Sequence, residues 1–283
     1  MTAPITGGRR AAVLGSPIAH SLSPALHLAA YQALGLTDWS YRRFEIGEAE
    51  LAPFLGSLGP EWAGLSLTMP LKRAVLPLLD EISDTAASVS AVNTVVFTDD
   101  GRALGENTDI PGLVAALAER GVTEVRRATV LGAGATASSA LAALGRLGAE
   151  EVTVCVRSEA RAAEMRSWGE RLGVRVVTAP WAAAAEALRA PLVVATTPAG
   201  ATDALAAAVP ADPGVLFDVL YEPWPTALAA AWSAAGGRLV GGLDLLVHQA
   251  VCQVELMTGL VPAPLPAMRA AGEAALRDRP ADH

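Results

Sequence analysis

The stretch LSLTMPLKR (65–73) holds Lys72, the one lysine in a 283-residue chain whose lysines and arginines together number 21. Arginine keeps its proton at any ordinary pH, whereas lysine can be tuned by its surroundings to release and recover one. Pro70 opens a helix, because its missing N–H costs nothing in a first turn. Lys72 then falls in that first turn, where the macrodipole disfavours a cation. A carboxylate nearby, for which Asp109 is the candidate, would orient the amine. Such a pair suits general acid–base chemistry near neutral pH. A coding bias toward arginine is the alternative explanation for the single lysine, and N-capping ahead of Pro111 is the alternative role for Asp109.

Other polar segments interrupt the apolar runs of the first 110 residues: HSLSP (20–24), SLTMPLK (66–72), AVNT (91–94) and ENTD (106–109). Each lies at the end of a strand or the entry of a helix, where open α/β sheets place their ligands. Ser23 is a natural N-cap. Ser21 then has no structural duty, and two hydroxyls beside a helix start suit a carboxylate. Thr68 ends its strand toward the same crevice. Asn93 lies early in its strand, and a buried asparagine there needs partners.

GAGATA (132–137) fits the dinucleotide pattern G-x-G-x-x-G/A, with Gly132, Ala133, Gly134 and Ala135 forming the turn. The first glycine permits a sharp bend, the second lets backbone approach a pyrophosphate, and the helix N-terminus faces the negative charge. It ends a strand, opens a helix and is followed by a second strand, which is the context the motif requires. That second strand ends in Arg157-Ser158, with Arg161 one turn later; the nearest acid, Glu151, precedes the strand. Guanidinium groups pair with a ribose 2′-phosphate and an acid would repel it, so NADP(H) is favoured over NAD. An ordinary solvated helix start is the alternative role for the two arginines.

The elements that must position these residues alternate strand and helix. Strands are expected at 11–15, 41–46, 63–68, 91–98 and 101–107, the last two forming a hairpin joined at DDG. Helices are expected at 23–35, near 48–58 and from Pro70. A second series follows, with a strand running into the glycine-rich turn over 128–137, strands at 151–157, 174–178, 191–197, 215–221 and 237–242, and a long amphipathic helix at 245–259. The alternation predicts an α/β fold of two units, divided near Gly112, with mainly parallel sheets covered on both faces.

Composition narrows the function classes. The formal net charge of −8 and pI near 5.1 argue against a nucleic-acid surface. The uncharged run 128–145 carries three glycines, two serines and two threonines, and reads as strand, turn and helix rather than a membrane span. MTAPITGGRR lacks the apolar core of a signal peptide, and Cys155 and Cys252 form no CxxC pair. None of His20, His27, His248 and His283 sits in a metal-binding frame. A cytoplasmic protein acting on a small molecule, with no nucleic acid, membrane or metal, is expected.

Taken together, the segments SLSP, TMPLK, AVNT, GENTD, GAGATA, ATTPAG (195–200) and GLDLLVHQA (242–250) resemble the shikimate dehydrogenase family, over nearly the whole chain. The resemblance implies an NADP-dependent oxidoreductase of the route to aromatic amino acids, reducing 3-dehydroshikimate to shikimate. Residues 1–110 and 243–283 would form the substrate domain and 111–242 a Rossmann-type cofactor domain, with C-terminal helices returning to the first. Ser21 and Ser23 would hold the carboxylate, Lys72 and Asp109 would be the catalytic pair, and Thr68, Asn93 and Gln249 would bind ring hydroxyls beside Tyr221. Gly132 to Ala135, Arg157, Ser158 and Arg161 would take the cofactor, with Thr196 and Gly242 near its nicotinamide.

The sequence departs from the family pattern in places. Ser66 stands where an asparagine is usual, Val156 replaces the asparagine often found before the arginine, and Ala195 the one before the double threonine. The alternatives are a relative acting on quinate or an amino analogue, or a non-catalytic regulator that binds the same ligands. A monomer or a homodimer is expected.

Overall fold

The computed structural model describes residues 8–279; residues 1–7 and 280–283, and with them His283 and most of the N-terminal stretch, lie outside the described residues. The chain divides into two compact units, one made of the residues up to Thr108 together with those from Leu246 onward, the other Asp109–Leu245.

The first unit contains strand β1 (Arg10–Gly15), helix α1 (Ser23–Ala33), β2 (Ser40–Glu45), α2 (Glu48–Gly56) and β3 (Trp62–Leu67). The one-turn helix α3 (Leu71–Ala74), β4 (Glu81–Ile82), α4 (Asp84–Val89), β5 (Thr94–Phe97) and β6 (Ala103–Glu106) follow. The sheet runs β2-β1-β3-β5-β6-β4. All six residues of β3 are buried, as expected of a central strand covered on both faces. Strand β2 lies at the edge and carries Arg42 and Arg43 outward, charges that discourage pairing with another chain.

The first sheet is mainly parallel, as expected, with the reversal that the expected hairpin introduces. Strands β3 and β5, and β5 and β6, pair antiparallel. The DDG turn makes a hairpin, and a hairpin reverses direction inside a sheet that starts with parallel crossovers. That reversal matters for the site. Ser66 pairs with Thr94, and Thr94 with Glu106. The N-terminal end of β5 therefore meets the C-terminal ends of β1, β3 and β6.

The second unit begins with α5 (Asp109–Glu119) and continues through β7 (Arg127–Leu131), α6 (Ala135–Arg146), β8 (Glu151–Val156), α7 (Glu159–Leu172) and β9 (Arg175–Pro180). Next come α8 (Ala184–Ala187), β10 (Leu192–Ala195), β11 (Val215–Asp218), α9 (Ala227–Ala234) and β12 (Arg238–Val240). The sheet order β12-β11-β10-β7-β8-β9 is fully parallel, the doubly wound Rossmann arrangement. Leu131, Val193, Leu216 and the fully buried Trp232 centre its core. The indole N–H of Trp232 is satisfied by the Gly214 carbonyl at 3.2 Å. Strand order reverses between β7 and β10, so the glycine turn after β7 opens at the switch point.

Helix α10 (Gly242–Thr258) carries the chain out of the second unit, and α11 (Leu265–Arg277) completes the first, where it packs along α1. Beyond α11, the Arg279 guanidinium donates to the His20 carbonyl. Among the described residues, no helix is long and apolar enough to cross a membrane.

Candidate functional site

In the first unit the sheet register gathers the polar segments at one end. Asn93 lies just before β5 rather than within it, and is buried. Its amide oxygen accepts the Thr108 N–H at 2.8 Å and the Thr94 hydroxyl at 2.9 Å. Its amide nitrogen donates to Thr108 Oγ1 at 3.0 Å and to Gln249 Oε1 at 3.4 Å. The Gln249 amide nitrogen in turn donates to the Leu246 carbonyl at 2.8 Å, one turn back on α10. Asn93, Thr108 and Gln249 thus form one buried, mutually oriented cluster, as buried polar groups require.

Thr68 follows β3 and is half-buried, its N–H bonded to the Leu14 carbonyl at 2.9 Å. Its methyl rests on Gly15, where an added Cβ would collide with it. Lys72 is half-buried in α3, and its carbonyl accepts the Val92 N–H at 2.8 Å, which fixes the lysine's backbone to the residue preceding Asn93. The helix around Lys72 is a single turn, so too few aligned peptides exist for the macrodipole penalty expected from the sequence. Asp109 is buried as the first residue of α5. It directly follows Thr108, whose N–H and hydroxyl are held by Asn93.

The serine pair exchanges the roles expected of it. Helix α1 has Leu22 at its N-cap position and no side-chain cap. Ser23 is instead its first residue and is buried, 4% exposed. Ser21, expected to have no structural duty, accepts the Ser23 N–H on its hydroxyl at 3.3 Å. With Pro24 next in line, a first-turn N–H falls to Ser21 to satisfy.

A polar chain unforeseen from the sequence runs behind Ser23. The Tyr41 phenol donates to Ser66 Oγ at 2.6 Å. Ser66 donates to Gln253 Oε1 at 2.8 Å, which also meets His27 Nε2 at 3.2 Å. Gln253 Nε2 reaches the Asn93 carbonyl at 3.3 Å and Thr94 Oγ1 at 3.0 Å. His27 stacks on Tyr41 at 3.9 Å, and its burial pushes the imidazole down to about 3. Burial pushes the Tyr41 phenol up. One sequence signal existed: Gln253 lies four residues after Gln249 and so shares its helix face.

In the second unit, Gly132 has φ +113° and its N–H bonds the Cys155 carbonyl at 3.1 Å. An added Cβ there would stand 2.7 Å from Thr196 Oγ1, whose hydroxyl donates to the Leu131 carbonyl at 2.9 Å. Gly134 is different: it has extended backbone, and a Cβ built on it meets nothing within 4 Å. It is the N-cap of the twelve-residue α6, which has no side-chain cap. Ala133 and Ala135 flank it. An uncapped helix start behind open space at Gly134 fits a pyrophosphate, and the small residues fit the close approach it needs.

Arg157 is exposed just past β8, its guanidinium carbon 5.1 Å from the centre of the Trp181 ring. Ser158 caps α7, accepting the Arg161 N–H at 3.4 Å. Arg161 is ion-paired with Glu164 at 2.7 Å, whereas Arg157 makes no ion pair among the described residues. The chemistry of this donor set, with no acid on Arg157, suits a 2′-phosphate. Tyr221 is half-buried three residues beyond β11, on a loop braced by Asp218. Asp218 accepts from the Thr226 hydroxyl at 2.7 Å and the Leu220 N–H at 3.2 Å, and its burial raises the carboxyl's pKa. Gly242 opens α10 against the Val219 and Leu220 backbone, an approach that leaves no room for a Cβ.

Comparison with known proteins agrees with this arrangement. The family model "Shikimate dehydrogenase substrate binding domain" matches residues 13–95, and the "Shikimate 5'-dehydrogenase C-terminal domain" matches 242–271. The shikimate dehydrogenase (NADP(+)) of Oleidesulfovibrio alaskensis is 38% identical over 92% of this chain and 93% of its own. The crystal structure of Mycobacterium tuberculosis shikimate dehydrogenase superimposes with a TM-score of 0.87 at 46% identity, covering 94% of this chain and 99% of that one. The shikimate 5-dehydrogenase of Thermus thermophilus, solved in complex with NADP(H) and shikimate, gives 0.83 at 35% identity over 94% of this chain and 99% of that one.

Proposed function

The chain belongs to the shikimate dehydrogenase family, and on that premise we propose that it catalyses the reversible, NADPH-dependent reduction of 3-dehydroshikimate to shikimate. The observation that carries this reading is the convergence of Thr68, Lys72 and the Asn93–Thr108–Gln249 cluster at one end of the first sheet.

NADPH, when bound, supplies the hydride to the C3 ketone. Gly132 to Ala135, with the start of α6, would hold its pyrophosphate, and Arg157 its 2′-phosphate; Ser158 and Arg161 would flank that group, and Thr196 and Gly242 the nicotinamide. The chain's own residues bind and protonate the acid. Ser21 and Ser23 hold the carboxylate by hydroxyl donation. Thr68, Asn93 and Gln249 bind the ring hydroxyls, and Tyr221 lines the same pocket. Four bonds already use the Asn93 amide, so an arriving ring hydroxyl takes the place of the longest of them, the 3.4 Å contact to Gln249 Oε1. Lys72 Nζ donates the proton that neutralises the alkoxide developing on the former ketone oxygen. Asp109 orients that amine and a neighbouring hydroxyl. In the reverse direction Lys72 takes the hydroxyl proton back. A single tunable amine serves both directions, as arginine could not.

Residues up to 110 and from 243 on would form the substrate domain and 111–242 the cofactor domain. A cytoplasmic location and a monomeric or dimeric state complete the proposal. The test is a spectrophotometric assay with shikimate and quinate, each with NADP+ and NAD+. Reduction of NADP+ by shikimate, with a much lower kcat/KM for quinate, is expected. Ligand binding with no cofactor turnover would overturn the assignment in favour of a regulator.

A further inference from the structure

Backbone groups fix the sense of the buried amides at the start of β5. A backbone N–H can only donate and a carbonyl can only accept, so each decides which end of a facing amide is nitrogen. The Thr108 N–H, 2.8 Å from the Asn93 side chain, makes the facing atom Oδ1. The Leu246 carbonyl claims Gln249 Nε2 at 2.8 Å, which turns Gln249 Oε1 toward Asn93. The Asn93 carbonyl claims Nε2 of Gln253, one turn beyond Gln249 on α10, at 3.3 Å. Gln253 Oε1 is then the end that meets Ser66 Oγ at 2.8 Å and His27 Nε2 at 3.2 Å.

Gln253 passes its sense on. It also donates from Nε2 to Thr94 Oγ1, at 3.0 Å. Thr94 has one proton of its own and cannot return it to a donor, so it gives it to Asn93 Oδ1 at 2.9 Å; Thr108 Oγ1 is farther away, at 3.2 Å. Oδ1 then holds the Thr94 hydroxyl and the Thr108 N–H, and both its lone pairs are in use. Bulk water does not disturb this order, since Thr94 is 0%, Gln253 1%, and Asn93 and Thr108 2% exposed. Asn93 can therefore offer a ligand only the N–H of Nδ2, and 3.4 Å away Gln249 offers the acceptor Oε1. A hydroxyl entering there accepts from the first and donates to the second. A ketone or ether oxygen can only accept, and would face Oε1 with no proton between them.

We propose that Gln253 is a positioning residue for the ring-hydroxyl subsite: by donating to Thr94 it keeps the Thr94 proton on Asn93, and the filled amide oxygen leaves Asn93 a donor beside the acceptor of Gln249. The inference rests on Asn93 and Gln249 binding ring hydroxyls, as the proposed function has it, and the experiment separates the two. Steady-state kinetics with shikimate and NADP+ are measured for Gln253→Glu, Thr94→Val, Thr94→Ser, the Thr94→Val/Gln253→Glu double variant, Asn93→Ala and Gln249→Ala, with thermal melts as folding controls. Gln253→Glu keeps an acceptor for Ser66 and His27, but its other oxygen carries at most one proton where the amide nitrogen carries two. The Asn93 carbonyl claims that proton, so the carboxyl draws the Thr94 proton off Asn93. Gln253→Glu and Thr94→Val are each expected to raise the KM for shikimate about 3- to 10-fold, the scale of one hydrogen bond in a cooperative chain. Their kcat and their KM for NADP+ should stay within about twofold of the parent, the split expected when only the hold on the ring is loosened. Thr94→Ser, which keeps the hydroxyl, should match the parent.

The double variant should be no worse than Gln253→Glu alone, because the Thr94 proton has already left Asn93. An unchanged KM in both Asn93→Ala and Gln249→Ala refutes their place at the ring hydroxyls. If either of these raises KM while Gln253→Glu or Thr94→Val leaves it unchanged, or if the effects of the latter two multiply, the role given to Gln253 is refuted. Should Gln253→Glu fail to fold, Thr94→Val and Thr94→Ser decide: a raised KM in the valine variant alone supports the chain, and equal values in the two refute it.

Discussion

The two glycines of the turn after β7 make opposite demands, and substituting each by alanine separates fold from function. At Gly132, φ is +113° and a Cβ would press on Thr196 Oγ1 at 2.7 Å and Thr197 Cγ2 at 3.3 Å. An alanine held in such a sparsely populated region costs about 1–3 kcal/mol. Moving Thr196 aside would strain its bond to the Leu131 carbonyl as well. The second unit spans 109–245, and for a unit of that size about 2 kcal/mol lowers Tm by roughly 4–8 °C. At Gly134 the backbone is extended, with φ −91° and ψ −170°, and a Cβ meets nothing within 4 Å. There alanine strains nothing and restricts the unfolded chain by about 0.4–1 kcal/mol, a gain offset by the preference for glycine over alanine at the N-cap it occupies.

Gly134→Ala should therefore melt close to the parent temperature, yet its methyl group occupies the space through which backbone approaches a pyrophosphate. Its KM for NADPH should rise by at least about tenfold, the order of one lost charged hydrogen bond, with the shikimate KM unchanged. Scanning fluorimetry and initial-rate kinetics on the same preparations supply both readouts. A Gly134→Ala enzyme with normal cofactor affinity would refute the placement of the phosphates at this turn. A Gly132→Ala protein as stable as its parent would refute the backbone argument.

Lys72→Ala should lower kcat by about 10²- to 10⁴-fold with a much smaller change in shikimate KM, and Lys72→Arg, which keeps the charge but not the proton exchange, should be nearly as poor; near-normal turnover in either excludes Lys72 as the acid. Arg157→Ala should cut kcat/KM for NADPH roughly 10- to 100-fold while sparing NADH, and equal losses with both cofactors would sink the 2′-phosphate assignment. Trp181→Ala, which removes the ring under that guanidinium, should raise the NADPH KM about two- to fivefold, in line with a cation–π contact of about 0.5–1 kcal/mol. His27 sets a limit on acid stability. Burial lowers its pKa from 6.5 to about 3, so between those values the unfolded chain binds the extra proton, and stability present above pH 6.5 is lost as the pH falls. The loss reaches about 2 kcal/mol by pH 5. Denaturant titrations at pH 7.5 and pH 5 should show it in the parent and not in His27→Phe; equal losses would refute it.

Local chemistry alone determined much of this protein. The spacing of apolar runs located most strands and helices within a residue or two. GAGATA declared its turn because only small residues allow φ +113° at Gly132 and open space at Gly134. Lys72 stood out as the one cation able to exchange a proton. The arginine after β8 was legible because an acid or a cation at a strand end is a property of one position. What the sequence left open depends on register and on neighbours far along the chain. The hairpin β5–β6 turns the first sheet mixed, and that reversal brings Asn93 to the end where β3 and β6 finish. Arg161 looked available until α7 set Glu164 beside it. Ser21 and Ser23 exchanged structural and buried roles because the helix begins one residue earlier than capping rules suggest. Tyr41, Ser66, His27 and Gln253 lie on four different elements, and nothing in any one of those segments announces a shared hydrogen-bonded chain. Hydrogen-bond partners separated by 187 or 226 residues are chosen by packing, since the low dielectric of the core penalises every unpaired donor until the tertiary fold supplies its acceptor.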